Sequence, residues 1–309
     1  MHFTHYHGLD DRQRMLELVW HSPARHAHVV DLPYRLCSWA MDDPSNIGLW
    51  VNDDGALLAW AVMQAPFWTI DFGMGVDAPS EALGVILDWV DEKARPLLPS
   101  PYGRPSWFVP VLETNTTARQ ALENAGFVSH KPGEEPWAQV CLALNAGVEL
   151  PPCTIKRGYQ LRPIRGARDV PAYVALHRQV FGTGNMTEPW RLRTLLHPAY
   201  RPELDLIIEN AEGEFVAFCI GWVAAPNLST DDGTPAVFGQ IEPLGVLEQE
   251  RRNGLAWSII AEAIRRMRAL GAETIYVHTD NYRDRAFAFY QAVGFQVVER
   301  ILMYRKDYD

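Results

Sequence analysis

The stretch Arg251-Arg252-Asn253-Gly254-Leu255-Ala256 determines how the second half of this chain is interpreted. It opens an amphipathic helix that we predict over residues 251–270. Two arginines at a helix N-terminus are locally unfavourable, because the exposed N–H groups and the helix dipole already make that end positive. Such a start makes sense beside an anion, and Gly254 would let the backbone approach phosphate oxygens closely. An ordinary solvated helix start is the alternative, since patterns this short recur by chance.

A second signature begins 25 residues after Ala256 and consists of Asn281-x4-Ala286-x2-Phe289-Tyr290-x3-Gly294-Phe295. Together the two signatures indicate an acyl-CoA site with its pyrophosphate at residues 251–256. These residues resemble the GNAT superfamily of N-acetyltransferases, whose motif is Arg/Gln-x-x-Gly-x-Gly/Ala followed by an Asn-to-Gly-Phe segment of this kind. The resemblance is specific over residues 239–306 and faint over residues 1–145.

The resemblance implies a role for each part of the proposed cofactor site. It implies that acetyl-CoA is held by Arg251, Arg252, Asn253, Gly254, Leu255 and Ala256, and that its pantetheine arm lies along Leu244, Gly245 and Val246. Gly245 could equally be a bulge or a packing device, as strand glycines often are. Asn281 would contact the pantetheine, although capping the following helix would be an equally good role for it.

Tyr290 is the candidate general acid. In GNAT enzymes a tyrosine at this spacing before Gly-Phe often lies near the thioester sulfur, and a phenol can protonate a thiolate of comparable basicity. The alternative is a helix tyrosine that packs its ring against the sheet.

Glu242 is the candidate general base or substrate anchor. Strand alternation would place it on one face with Gln240 and Leu244. Its apolar neighbours Ile241 and Pro243 would partly desolvate the carboxylate, which raises its pKa toward a useful range. A surface salt bridge is the alternative for Glu242, and His278 is a weaker second candidate for the base.

The 309 residues divide most naturally into two domains. We predict a degenerate GNAT-like domain over residues 1–148, a linker over 149–158 and a GNAT domain that binds acetyl-CoA over 159–309. A weak internal repeat with an offset of 168 residues supports this division, because Ala118-x2-Ala121-Leu122-x3-Gly126-Phe127 superposes on the second signature. Where the arginines should recur, the first copy has Asp77-Ala78-Pro79-Ser80-Glu81, which would repel a phosphate.

The predicted fold class is α/β, of α+β type, with two tandem GNAT-like domains that each contain a mixed, mostly antiparallel twisted sheet flanked by helices. In the second half we expect a strand over residues 236–246, a strand over 274–279, a helix over 283–293 and a terminal strand pair over 296–298 and 301–305.

The charge is uneven, since residues 1–150 hold 9 Lys/Arg against 19 Asp/Glu and residues 151–309 hold 19 of each. An acidic first half argues against nucleic acid and favours a cationic small molecule, with solubility as the plain alternative. No stretch near residue 1 combines basic residues with an apolar run, and no apolar run reaches membrane length, so we expect a cytoplasmic protein. The four cysteines lack metal-ligand spacing and His21, His26 and His28 lack acidic or thiol partners, so we expect buried thiols, no disulfide and no metal.

These features predict an acetyl-CoA-dependent N-acetyltransferase. It would act on a primary amine of a small, cationic molecule, either aminosugar-like or derived from an amino acid, by direct transfer in a ternary complex. Aromatic side chains that could line its acceptor pocket between the halves are Phe67, Trp68, Trp107, Trp137 and Trp222. A non-catalytic acyl-CoA sensor and a protein N-acetyltransferase are the rivals, and the sequence leaves the acceptor, the acyl chain and the oligomeric state open.

Overall fold

The computed structural model describes residues 1–130, 138–150, 152–225, 236–281 and 283–309, apart from the side chain of Asp284. The elements of the first half are β1 (His2–Thr4), α1 (Leu9–Trp20), α2 (Leu32–Arg35), β2 (Ile47–Val51), β3 (Leu57–Gln64), β4 (Thr69–Met74), α3 (Ala82–Leu97), β5 (Ser106–Leu112), α4 (Thr116–Asn124), β6 (Val128–Ser129) and β7 (Ala138–Asn145). Those of the second half are β8 (Gln160–Pro163), α5 (Val170–Phe181), α6 (Glu188–Leu196), β9 (Asp205–Glu209), β10 (Phe215–Ala224), β11 (Phe238–Val246), α7 (Leu255–Ala269), β12 (Thr274–Asp280), α8 (Asp284–Val293) and β13 (Gln296–Asp307).

The strands of the described residues form one mixed sheet that runs through both halves. Its order is β1-β2-β3-β4-β5-β13-β7-β12-β11-β10-β9-β8, with β6 paired to β13. The final strand of each half therefore lies among strands of the other, since β7 lies between β12 and β13, and β13 lies between β5 and β7. The fold is the mixed α/β arrangement that the sequence predicts. The proposed boundary at residues 149–158 divides the chain in sequence and does not separate two sheets.

The terminal pair predicted over 296–298 and 301–305 is wrong, because one strand covers both segments. The early residues of β13 pair with β7, as in Gln296↔Ala143, and the late ones pair with β5, as in Asp307↔Ser106. A register shift between Val297 and Glu299 interrupts the alternation at the point where the sequence indicates a turn.

Helix α7 packs one apolar face on the sheet. Leu255, Ile259, Ala263 and Met267 are buried at helical spacing, as the apolar pattern predicts, whereas Leu270, the last residue of the predicted series, is exposed at the end of the helix. Gly271 ends the helix with φ +91°, in the left-handed region that its predicted C′ role requires. The predicted start at Arg251 is wrong, because the helix begins four residues later, at Leu255.

Three of the four cysteines are buried, as predicted, whereas Cys153 is exposed and donates its thiol hydrogen bond to the Ser258 carbonyl oxygen at 3.2 Å. None of the helices in the described part of the chain combines the length and the apolar character needed to cross a membrane.

Candidate active site

The site begins where two parallel strands diverge. Strands β11 and β12 pair from Phe238↔Thr274 to Ile241↔Val277 and then separate. Pro243 has no backbone N–H to continue the ladder. The rest of β11 therefore keeps β10 as its neighbour and leaves an open edge toward β12.

A cavity of about 360 Å³ lies at this divergence and is lined by both halves of the chain. The second half contributes Glu242 and Leu244 from β11, His278 and Asp280 from β12, and Tyr290 from α8. The first half contributes His28, Asp31, Tyr34, Arg35, Pro66, Phe67 and Gln139. The volume suits a small molecule, and residues of the first half form one wall of the cavity.

Glu242 faces the cavity beside the divergence. The indole N–H of Trp222 donates a 2.8 Å hydrogen bond to the Glu242 backbone oxygen, which fixes the main chain there. Burial, reinforced by the negative charge of Asp31, raises the pKa of the Glu242 carboxyl to about 8, although Arg35 and Arg283 oppose the shift. The direction is the one expected from its apolar sequence neighbours.

Alternation along β11 breaks at Glu242. A register shift between Cys219 and Gly221 on the neighbouring strand β10 leaves Glu242 and Pro243 out of the regular pairing. As a result Gln240, predicted on the face of Glu242 and Leu244, lines a second, more apolar cavity instead.

Tyr290 lines the cavity from α8 and is 8% exposed. Its ring packs edge-on against Phe295, with the ring centroids 5.8 Å apart. Burial, together with the nearby charge of Glu242, raises the pKa of the phenol, so the hydroxyl stays protonated at neutral pH. Tyr290 thus combines the packing role with a hydroxyl available as an acid.

The open edge of β11 presents unpaired backbone groups. Leu247 N–H donates to the Val216 oxygen at 2.9 Å, and Gly245 pairs with Phe218 two residues earlier. Because hydrogen-bonded pairs alternate along an antiparallel ladder, the backbone groups of Leu244 and Val246 point toward the divergence. Gly245 has a packing role, since an added Cβ would lie 2.5 Å from the Phe218 ring.

The N-terminus of α7 has the features of an anion site. Gly254 (φ +78°) is the N-cap and supplies no side-chain cap. The first helical bond runs from Ser258 N–H to the Gly254 oxygen, so the amides of Leu255, Ala256 and Trp257 precede it. Arg251 and Arg252 are exposed beside them, and Arg252 has a positive φ of 68°, uncommon for a residue with a side chain.

The side chain of Asn253 holds this loop to the chain between the halves. Lys156 Nζ donates to Asn253 Oδ1 at 3.0 Å, and Asn253 Nδ2 donates to the Tyr159 hydroxyl at 3.3 Å. The contact brings the ammonium of Lys156 to the loop, where it adds positive charge.

The two remaining candidates, Asn281 and His278, differ in their relation to the cavity. Asn281 does not line the cavity: its Oδ1 accepts a 3.3 Å hydrogen bond from Ala138 N–H at the start of β7, and Arg283 is the N-cap of α8. His278 lines the cavity, but burial lowers its pKa to about 4, which makes it a weak base.

Of the predicted aromatic residues, Phe67 lines the cavity, with the Arg35 guanidinium 4.1 Å from its ring centroid. Trp107 and Trp222 are buried in the core, Trp68 is partly exposed, and Trp137 lies outside the described residues. Arg35 itself is held by Asp71 through a two-point ion pair of 2.7 and 2.8 Å.

The first half has a similar divergence that is nearly filled. Strands β4 and β5 pair in parallel only at Thr69↔Phe108. The space beyond, lined by Asp71 and Leu112, also contains the segment of residues 25–28 and retains only about 20 Å³.

Comparison with known proteins relates part of the chain to acetyltransferases. The model of the acetyltransferase (GNAT) family matches residues 172–295. A mycothiol acetyltransferase of Thermobispora bispora is 24% identical over 160 residues, which cover 51% of this chain and 53% of that protein. The chain spans about half the length of the curated relatives it matches.

Solved structures show the same fold over nearly the whole chain. A tandem GNAT protein from the clavulanic acid biosynthesis pathway has a TM-score of 0.63 at 12% sequence identity. The match covers 99% of this chain and 98% of that protein. A GCN5-related N-acetyltransferase from Sphaerobacter thermophilus has a TM-score of 0.60 at 17% identity, with 99% and 95% covered.

Proposed function

Because the chain belongs to the GNAT superfamily of acetyl-CoA-dependent N-acetyltransferases, we propose that it acetylates a primary amine of a small, cationic molecule in the cavity between its halves. The observation that carries this proposal is the meeting of Glu242 and Tyr290 in one cavity, at the divergence of β11 and β12. A sensor that only bound acyl-CoA would need neither group.

In the proposed mechanism acetyl-CoA is the co-substrate. The amides at the start of α7, with Arg251 and Arg252, hold its pyrophosphate. The free backbone groups of Leu244 and Val246 bind the pantetheine arm. Asn281 accepts a hydrogen bond from Ala138 N–H, and its predicted contact with the pantetheine stays a prediction.

Glu242 and Tyr290 move the protons in this mechanism. Glu242 removes a proton from the bound ammonium, and the neutral amine then attacks the thioester carbonyl. Tyr290 donates its phenolic proton to the departing thiolate and is reprotonated by the proton that the attacking nitrogen loses as the amide forms, while the proton on Glu242 is released to solvent. Near pH 8 Glu242 is substantially ionised, as a base must be, and Tyr290 keeps its proton for the thiolate, although its raised pKa makes the phenol a weaker acid than an exposed tyrosine.

The charges at the cavity support a cationic acceptor. Arg35 is neutralised by Asp71, and Arg283 contacts Asp280 at 2.7 Å. The carboxylate of Asp31, which contacts His28, stays charged, and Glu242 adds a second negative charge as the pH passes its raised pKa of about 8. The acidic first half adds attraction at longer range. The relatives named mycothiol acetyltransferases are in line with a small-molecule acceptor.

An amine screen tests the proposal. The full chain, acetyl-CoA and single amines are incubated, and both the released thiol and the acetylated product are measured. We expect turnover of small cationic primary amines, such as aminosugars and amino-acid amides, and little turnover of anionic amines of equal size. Turnover of peptides alone would favour a protein acceptor, and acetyl-CoA binding without turnover of any amine would favour a sensor.

The cofactor assignment predicts one acetyl-CoA per chain, bound by the second half. Replacing both Arg251 and Arg252 with Glu should weaken CoA binding at least about tenfold, because charge-assisted contacts to phosphate are lost. Binding of the phosphate-free pantetheine fragment should change little. Calorimetry with both ligands measures the difference. The control is the double variant Arg168→Glu and Arg201→Glu, which changes the net charge by the same amount at two other exposed arginines. Equal losses for CoA and pantetheine would remove the pyrophosphate from this loop.

Replacing Tyr290 with Phe should lower kcat by about ten- to a thousandfold and leave acetyl-CoA affinity within a few-fold, since the ring and its packing on Phe295 remain. Steady-state kinetics and calorimetry measure the two effects. Tyr276→Phe, in the second cavity, is the control and should leave kcat within a few-fold. An unchanged kcat in Tyr290→Phe would reduce Tyr290 to packing alone.

A further inference from the structure

Three potential metal ligands from both halves meet beside the active-site cavity. His28 and Asp31 belong to the first half and His278 belongs to β12, and one ligand atom from each lies within 4.8 Å of the other two. His28 Nδ1 is 2.8 Å from Asp31 Oδ2, and the rings of the two histidines are 5.7 Å apart. The expectation that His28 lacks an acidic partner is therefore wrong.

Two atoms of this cluster are buried without a hydrogen-bond partner among the described residues. They are Asp31 Oδ1 and His278 Nδ1. The side chain of Asp31 is only 3% exposed, and that of His28 is 10% exposed. Unpaired polar atoms at such depth are costly and call for a partner. Asp31 and both histidines also line the cavity, so a ligand can reach them.

We propose that His28, Asp31 and His278 bind one divalent transition-metal cation of the zinc type. Two imidazole nitrogens and one carboxylate oxygen are a donor set that suits Zn²⁺ or Co²⁺, whereas Mg²⁺ and Ca²⁺ prefer oxygen ligands alone. Binding requires the three ligand atoms, which lie within 4.8 Å of one another, to move closer together by rotation of their side chains.

The charges around the cluster allow a cation there. Arg35, whose charge acts on both Asp31 and His278, is engaged by Asp71, and Glu242 is a further carboxyl group lining the same cavity. With three protein ligands, the ion keeps a position open to the cavity for water or an acceptor group. It also joins the halves, since two ligands come from the first half and one from the second.

Calorimetric titration of the chelator-treated full chain with ZnCl₂ tests the proposal. His5→Gln and His7→Gln are introduced throughout to remove a competing site at the N-terminus. We expect one ion per chain and a melting temperature that rises with Zn²⁺ concentration. His278→Gln and Asp31→Asn should each weaken binding at least about tenfold. His177→Gln, a buried histidine of the same cavity, should bind Zn²⁺ as the parent does.

Crystals soaked in Co²⁺ locate the ion independently of the folding of any variant. An anomalous peak between the three side chains is the expected result. The proposal fails if the parent binds no Zn²⁺, if the peak lies elsewhere, or if His278→Gln binds as tightly as His177→Gln. In that case the cluster is a hydrogen-bonded junction between the halves. Because these readouts measure metal and not turnover, the acetyltransferase proposal stands or falls separately.

Discussion

Replacing Glu242 with Gln is expected to lower kcat/KM for the acceptor amine by about two to four orders of magnitude, the usual contribution of a positioned general base. Glutamine keeps the shape of the side chain but cannot accept the proton. The pH profile should change as well. In the parent, kcat/KM rises as pH passes about 8, because the raised pKa of Glu242 must be exceeded before the base is ionised. In Glu242→Gln the rise of kcat/KM with pH should instead follow the pKa of the free amine.

The control for this experiment is Glu299→Gln, a half-buried glutamate of the second cavity, which should keep the parent's rate and pH profile. Both variants are measured with EDTA present, so that a bound metal ion cannot alter the ionisation of Glu242. If kcat/KM of Glu242→Gln falls by less than about threefold and still rises near pH 8, another group takes the proton.

Replacing Asp205 with Ala is expected to destabilise the fold by about 3–5 kcal/mol, because it leaves a buried charge without its partner. Arg191 is completely buried, and its guanidinium forms an ion pair with Asp205. The Tyr200 hydroxyl also donates to Asp205, at 2.6 Å, and the guanidinium lies 3.8 Å from the ring centroid of Tyr173. In Asp205→Ala, Arg191 and Tyr200 both lose the carboxylate that accepts their hydrogen bonds.

Urea unfolding measures this loss as a lower transition midpoint. Asp42→Ala is the matched control, because it removes a carboxylate from the exposed ion pair with Arg193, and such pairs contribute about 0–1 kcal/mol. If the two variants lose equal stability, the buried network does not stabilise the second half as we expect.

The local patterns of the second half were predictable from the sequence. The apolar spacing of α7, the predicted strands over 236–246 and 274–279 and the helix over 283–293 depend on neighbouring residues and match the structure within a few residues. Helix α6 is absent from the sequence prediction although its start has a signal: Thr187 accepts the amide hydrogen bond of Trp190 as N-cap, and Pro189 lies in the first turn.

The exchange of β7 and β13 between the halves could not be predicted in this way. A strand pattern shows which face of a strand is buried but does not identify its neighbour, and the pairings of β13 with β5 and β7 join residues more than 150 positions apart. The start of α7 was missed for a related reason. Arg252 has a left-handed backbone conformation, which cannot be recognised from the sequence at a residue other than glycine.

Only part of the site was predictable, because sequence patterns do not identify contacts between distant parts of the chain. Glu242 and Tyr290 carry motif and strand signals, and they share the cavity. The wall from the first half depends on packing between the halves, which no local pattern encodes. A local signal did exist for His28 and Asp31, since their spacing of three residues lets the two side chains meet.

A crystal structure of the full chain with acetyl-CoA and a turned-over amine, in the Glu242→Gln background that slows the reaction, tests the central claim most directly. We expect the pyrophosphate at the amides that open α7, the thioester sulfur within hydrogen-bond reach of the Tyr290 hydroxyl, and the amine between residue 242 and the first-half wall at Phe67. Acetyl-CoA bound at the divergence of β4 and β5, or an amine bound outside the shared cavity, would contradict the claim that acetyl transfer takes place between the halves.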